Sequence, residues 1–338
     1  MSELPEPRAN PLLLGHAAAE ATLVDALKGG RLHHGWLLLG PEGVGKATLA
    51  YRFARRLLAG PADTLFVAPD DPVFRRVASG GHADLLTVER GYDAKRKRLR
   101  GEIVVDDVAR IAAFLRLTPA EGGWRVVVLD GAEDLNRNAS NALLKVLEEP
   151  PPRAVLLLVC AAAGRLPQTV RSRCRRLRLG PLPDADVATL LAQARADLPE
   201  SARRELVPLS GGSIGRALDL AAEDGAGLGE AAERLLRDPA ALGDTDAERA
   251  HAMVARQEDG FGTFVDLLRA RLATAVRDAA RGGTVWHGRP LDRWVAVWQA
   301  IGALRDETEG LNLDKRQAMS RMLRLLSGGL APEDAATP

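Results

Sequence analysis

Apolar residues recur along this chain in two different rhythms. In the first half, short unbroken apolar runs alternate with stretches of helical spacing. Residues 36–39 (Trp-Leu-Leu-Leu), 126–129 (Val-Val-Val-Leu) and 154–159 (Ala-Val-Leu-Leu-Leu-Val) have the length and continuity of buried strands, and residues 85–88 read as a further strand. Between them, residues 18–27 and 49–58 show helical spacing, and residues 103–105 lead into an amphipathic helix carried by Val108, Ile111, Ala112 and Leu115. Ala139, Ala142, Leu143 and Val146 mark another helix, stopped by Pro150. This alternation predicts an α/β fold with a doubly wound parallel sheet. Residues 60–84, rich in Pro, Gly and Asp, read as a loop region.

The rhythm changes after Leu177-Arg-Leu179-Gly-Pro181-Leu-Pro183, which reads as a hinge. From there the pattern is helical throughout, with short helices over 184–197 and 201–209, another opened by Gly211-Gly-Ser-Ile-Gly215-Arg216, and a long block over 228–327. Leu291, Trp294, Val295 and Trp298 fall at i, i+3, i+4 and i+7, which predicts one packed helix face rather than a base-stacking surface. Residues 328–338 read as a frayed tail.

The 338 residues are 46% apolar and 27% charged, as expected for a globular chain of two or three domains. A formal net charge of +1 leaves any nucleic-acid contact to local patches. Cys160 and Cys174 are too few for a disulfide framework or a four-thiolate zinc site. No stretch approaches a membrane span and the first eight residues carry no apolar signal core, so the expected location is cytoplasmic.

Against this background one motif stands out. Gly40-Pro-Glu-Gly43-Val-Gly45-Lys46 follows the strand at 36–39 and precedes the helix at 49–58, the setting of a phosphate-binding loop. Its glycines let the backbone wrap phosphates, Lys46 neutralises their oxygens and the helix N-terminus adds partial positive charge. The hydroxyl that should follow the lysine and ligate Mg²⁺ is absent. Ala47 stands there, and Thr48, one position on, is swung by about 100° around the helix. Asp130 ends the central strand, where open α/β sheets bind ligands; it is either a Mg²⁺-holding acid or the start of a turn. The run Lys95-Arg-Lys-Arg-Leu-Arg100 is either a solvated hairpin tip or a phosphate-contacting loop.

Taken together, these motifs resemble the delta-prime subunits of the bacterial DNA polymerase III clamp loader, over almost the whole chain. The resemblance rests on Arg31-Leu-His33-His34 before the loop, on Asp130-Gly-Ala-Glu133-Asp-Leu-Asn136, and above all on Asn141-Ala-Leu-Leu-Lys-Val-Leu-Glu148-Glu-Pro-Pro151. Ser172-Arg173-Cys174 and Asn312-Leu-Asp-Lys-Arg-Gln317 add to it. It implies an AAA+ P-loop parallel sheet flanked by helices (1–180), a small helical lid (181–226), an all-helical collar for oligomerisation (227–328) and a tail (329–338). Other clamp-loader subunits are the implied partners, with the sliding clamp and primed DNA reached through the complex and no membrane involved.

The departures from the family's motor subunits define the expected role. Gly131 stands where motors carry the water-positioning Glu, and Glu133 comes two residues late. Cys160-Ala-Ala-Ala163 replaces a region with a sensor threonine, and Gly215 stands at the lid-arginine position, with Arg216 next as the candidate lid contact. The resemblance therefore implies a degenerate nucleotide site (Gly40, Gly43, Gly45, Lys46, Thr48, Asp130) that takes ATP or ADP with weak or no Mg²⁺ ligation, and no zinc module. Arg173 keeps the family's arginine-finger position, reaching in trans to a neighbouring subunit's ATP; from the residues alone it is equally a surface ion-pair arginine. The expected function is a non-motor stator subunit. An active motor of the same ring and a free-standing DNA-binding protein using residues 95–100 are the alternatives.

Overall fold

The computed structural model describes residues 4–30, 32–93, 98–222, 225–255, 260–283, 285–311 and 313–328. They fall into two compact units, one formed by residues up to Ala196 together with Gly211–Arg216, the other by Asp197–Ser210 and the residues from Ala217 on.

The first unit is built on five parallel strands, β1 (Gly35–Leu39), β2 (Leu85–Val88), β3 (Arg125–Asp130), β4 (Ala154–Cys160) and β5 (Arg175–Arg178), in the order β2-β3-β4-β1-β5. Alternate residues of each strand face opposite sides of the sheet. Leu37, Val127, Leu129, Leu156 and Leu158 pack with Ile111 and Leu115 of the helix Val105–Arg116 and with Leu143 of the helix Arg137–Glu148. Trp36, Leu38, Val126, Val128, Leu157 and Val159 face the helices Ala17–Lys28 and Lys46–Ala59 through Leu23, Leu49 and Phe53. We label these helices α1 (Ala17–Lys28), α2 (Lys46–Ala59), α4 (Val105–Arg116) and α5 (Arg137–Glu148), with α3 (Pro72–Ala78) between α2 and α4. Burial on both faces is why the central strands read as continuous apolar runs. Full burial of side chains such as Trp36 and Phe53, 0% exposed, contributes about 1.5–3 kcal/mol each.

Two elements of this unit escape the sequence pattern. Helix α3 lies inside the expected loop region: Asp71 caps it by accepting from the Val73 N–H at 2.7 Å, Pro72 sits at its first turn, and Phe74 and Val77 bury. Seven residues are too few to display a period. Strand β5 runs into the first two residues of the stretch read as a hinge. It is an edge strand whose one buried side chain is Leu177, so Arg175, Arg176 and Arg178 hide it from any apolar-run criterion. Helices α6 (Gln168–Ser172) and α7 (Asp184–Ala194) complete the ordered elements before the second unit.

The second unit is a helical assembly built mainly from α8 (Glu200–Leu209), α10 (Gly225–Arg237), α11 (Asp244–Val254), α12 (Gly260–Gly282), α13 (Leu291–Gly310) and α14 (Lys315–Ser327); the helix α9 (Ile214–Ala222) begins in the first unit. Phe261, Phe264, Leu268, Trp294, Ile301, Met319 and Met322 form its buried side chains. The expectation of helix throughout is corrected by a small hairpin pairing Val285–Trp286 with Arg289–Pro290, turned by His287 and Gly288 at φ +48° and +71°. Arg289 locks it, donating to the Leu326 and Ser327 carbonyls at 2.9 and 2.6 Å with its guanidinium over Trp294. The inferred tryptophan face is also rotated. Trp294, Val297, Ile301 and Leu304 bury, while Val295 is 46% exposed and Trp298 is half-buried, donating to the Arg269 carbonyl. At the start of α14 the Asp314 carboxylate accepts the N–H groups of Arg316 and Gln317, so the Asp-Lys-Arg-Gln stretch is a helix cap. Asn312, Arg31 and the tail at 329–338 lie outside the described residues.

Candidate functional site

The phosphate loop leaves β1 at the carboxyl edge of the sheet, where Leu39 is flanked by Cys160 and Arg178. Its glycines are demanded by close approaches. A Cβ on Gly40 would lie 2.2 Å from the Leu179 carbonyl oxygen, and one on Gly43 (φ +69°) would lie 2.3 Å from Ser213 Oγ. Gly45, at φ +100°, is the N-cap of α2. Four successive carbonyls of the loop are each engaged. Lys46 Nζ donates to Pro41 O at 2.6 Å, Ser213 Oγ to Glu42 O at 2.8 Å, the Gly215 N–H to Gly43 O at 3.1 Å and His16 Nε2–H to Val44 O at 2.6 Å. The loop leads into the first turn of the 14-residue α2, and a helix N-terminus of this kind favours an anion.

Lys46 is almost fully buried, and burial lowers its pKa; the charges of Glu133, Glu42 and Asp130 oppose that shift. Asp130 is raised instead, by burial first and by the neighbouring Glu89 next, with Lys46 working against both. Glu133 is engaged through one of its two carboxylate oxygens. Its Oε1 accepts the N–H groups of Ala161 and Ala162 at 2.7 and 3.3 Å, clamping the turn after β4. Cys160, beneath it, is pushed up to about 12 by burial and by the Glu133 charge and hydrogen bond. The turn at residues 161–162 is thus held by a carboxylate.

The donor set fits a phosphate group better than a divalent cation. Arg216 Nη2 is buried without a hydrogen-bond partner, a donor open to an anion, whereas Lys46 Nζ is engaged by Pro41 O. For Mg²⁺, Ala47 offers no oxygen, Thr48 is buried one position further along α2, and Gly131 is left-handed at φ +77°. Among the described residues no group of three or more His, Cys, Asp or Glu side chains is arranged to hold a metal ion.

Packing at Gly215 excludes a side chain there. Gly215 packs against the loop so closely that its Cβ would lie 2.9 Å from Gly43 Cα. A long side chain cannot occupy that position, and Arg216 follows it, donating its backbone N–H to Ser213 Oγ at 3.1 Å.

Arg173 lies elsewhere in the same unit, as the residue ending α6. Its side chain is 38% exposed; Nη1 donates to Thr169 O at 3.0 Å, and Nη2 contacts Glu148 Oε1 at 2.8 Å. Cys174, next to it, is buried, and burial pushes its thiol up to about 12. His34 donates Nε2–H to Leu147 O at 2.9 Å, tying the His-His motif to the end of α5. Burial first and His33 next lower the His34 pKa, keeping it neutral at pH 7.

The structure therefore brings Gly40, Gly43, Gly45, Lys46, Thr48 and Asp130 to one region, adds Arg216 through Ser213 and Gly215, and sets Arg173 in its own corner. Sequence reasoning missed His16, Ser213 and Glu148, whose partners are distant in the chain. Of the basic run, residues 95–97 lie outside the described residues; Tyr92–Asp93 pairs antiparallel with Arg98–Leu99 on either side, and Arg100 is exposed.

Comparison with known proteins bears on this arrangement. The family described as DNA polymerase III, delta subunit, matches residues 15–183, half of the chain. DNA polymerase III subunit delta' of Pseudomonas aeruginosa is 40% identical over 189 residues, covering 55% of this chain and 55% of that protein. DNA polymerase III subunit tau of Salmonella typhimurium is 28% identical over 330 residues, covering 95% of this chain and 48% of the relative. The chain spans about half the length of these two relatives. Among solved structures, a gamma-subunit-related protein of Thermotoga maritima is 19% identical with a TM-score of 0.42, covering 90% of this chain and 97% of that one. The match over residues 15–183, loop and arginine corner included, places this chain in the DNA polymerase III delta subunit family.

Proposed function

We propose that this protein is a non-motor subunit of a DNA polymerase III clamp loader, acting in the loading of a sliding clamp onto primed DNA. In this reading Arg173 is an arginine finger supplied in trans to the ATP of a neighbouring subunit, and the protein's own loop holds ATP or ADP without turning it over. The observation that carries the proposal is the contrast between a loop poor in Mg²⁺ ligands, with Lys46 turned onto Pro41 O, and an arginine held at an exposed corner. A guanidinium on a γ-phosphate stabilises transition-state charge and is worth about 10³–10⁵ in rate. Partners are the motor and clamp-opening subunits, with DNA reached through the complex. Residues 1–180 would serve as the ATPase-like domain, 181–226 as lid and 227–328 as collar.

The test is the clamp- and primed-DNA-stimulated ATPase of a reconstituted loader carrying Arg173→Ala. A fall in rate with assembly unchanged is expected; an unchanged rate reduces Arg173 to a structural residue. Deleting residues 228–327 is expected to abolish assembly, and full incorporation of the truncated chain would refute the collar assignment. Sustained DNA-stimulated hydrolysis by the pure chain would instead make it a motor.

A further inference from the structure

Two sequence motifs far apart in the chain meet at the arginine corner. Glu148 is the last residue of α5, in the stretch Leu147-Glu-Glu-Pro-Pro151, and its carboxylate contacts Arg173 of Ser172-Arg-Cys174 at 2.8 Å. We propose that Glu148 is the positioning residue for Arg173, holding the guanidinium in the orientation from which it engages a phosphate of the neighbouring subunit. The inference rests on the finger reading of Arg173.

Three features of the corner support it. First, the parts on either side are rigidly seated. His34 fixes the last turn of α5 through Leu147 O, and Gly35 is packed so tightly that a Cβ there would lie 3.0 Å from Leu147 Cδ2, 3.3 Å from Cys174 Sγ and 3.4 Å from Arg173 O. The Arg173 backbone N–H is itself held by Val170 O at 3.2 Å. The remaining freedom is in the long arginine side chain, which Glu148 and Thr169 O restrain at its tip.

Second, this restraint engages one N–H on each terminal nitrogen. A guanidinium has five donors in a planar fork, so three stay available for an incoming anion. An arginine oriented in advance loses less rotamer freedom on engagement than a free one.

Third, the acid is misplaced for helix stability. The C-terminal end of a helix carries partial negative charge and favours a cation, yet α5 ends in Glu148 followed by Glu149. The contact with Arg173 gives that carboxylate a purpose the helix itself does not.

The test uses the full chain in a reconstituted loader, with Glu148→Ala, Glu148→Gln, Arg173→Ala and the double variant Glu148→Ala/Arg173→Ala. Glu148→Ala is expected to lower kcat of the clamp- and primed-DNA-stimulated ATPase about two- to fivefold, the range of a partly exposed ion pair, with KM for ATP unchanged. Glu148→Gln, whose amide oxygen still accepts an N–H, loses less. In the Arg173→Ala background the Glu148→Ala change adds nothing, because no guanidinium remains to orient. Equal losses on both backgrounds, or a rate that stays level or rises in Glu148→Ala while Arg173→Ala falls, overturn the positioning role and leave the finger standing. An unchanged rate in Arg173→Ala removes the finger itself.

Discussion

Lys46 and Arg173 are two cations of one structural unit placed in opposite circumstances. Lys46 is 6% exposed, turned onto a carbonyl of its own loop and set among the carboxylates of Glu42, Asp130 and Glu133. Arg173 is restrained along one side only and stands at the surface with the rest of its fork open. A buried cation surrounded by acids serves its own chain first, whereas an oriented, accessible guanidinium suits an anion brought by another molecule. The contrast separates a lysine engaged by its own loop from an arginine left open to solvent.

The largest break of this comparison is Arg173→Ala, expected to slow hydrolysis at the neighbouring site by at least about 10³-fold. On the proposed reading, in which Arg173 carries the transition-state charge, Lys46→Ala in the same loader is expected to change the stimulated rate by less than about twofold. Parallel ATPase assays of the two variants decide it, and a larger loss from Lys46→Ala reverses the assignment of roles.

Next in size is Gly43→Ala. The added Cβ meets Ser213 Oγ at 2.3 Å in a left-handed backbone, so a stability loss of about 2–4 kcal/mol is expected in chemical denaturation of the chain. A neutral result would mean that the contact between the loop and residues 213–215 gives way easily.

A smaller effect concerns Asp130. Its folded pKa is raised by burial, so the protonated form suits the fold and the ionised form costs stability as pH rises through the folded value. Asp130→Asn is expected to stabilise the chain at pH 7, with the gain vanishing below the ordinary carboxylate range. Unfolding midpoints of both forms at pH 4 and pH 7 check the sign. A Mg²⁺-dependent stabilisation of the wild type alone would instead make Asp130 a working ligand.

The smallest expected effect is none. Both thiols are held up to about 12 and buried, so neither Cys160 nor Cys174 should react with iodoacetamide in the native chain at pH 8, while both react in denaturant. Ready native alkylation of Cys174 would show that the arginine corner opens.

Much of the α/β unit was legible because strands buried on both faces must be apolar at every position, as at 126–129 and 154–159. The loop was legible because its glycines and Lys46 are contiguous. Strand β5 was not, since an edge strand leaves only Leu177 to bury, and α3 was not, since its signal is a cap and a proline rather than a period. The rotation of α13 escaped because Val295 and Val297 carry the same side chain, and only the neighbouring helices select which one is covered.

The sequence alone determined which groups are present: a lysine without a following hydroxyl, a glycine after Asp130, and an arginine between Ser172 and Cys174. These are statements about composition at a position, and contiguous motifs carry them. Tertiary structure decided what the groups touch. Gly215 against Gly43, Glu133 on the Ala161 and Ala162 amides, and Glu148 on Arg173 join residues far apart in the chain. Hydrogen bonds and close packing depend on distances of a few ångströms, and only the folded backbone sets those distances between remote residues.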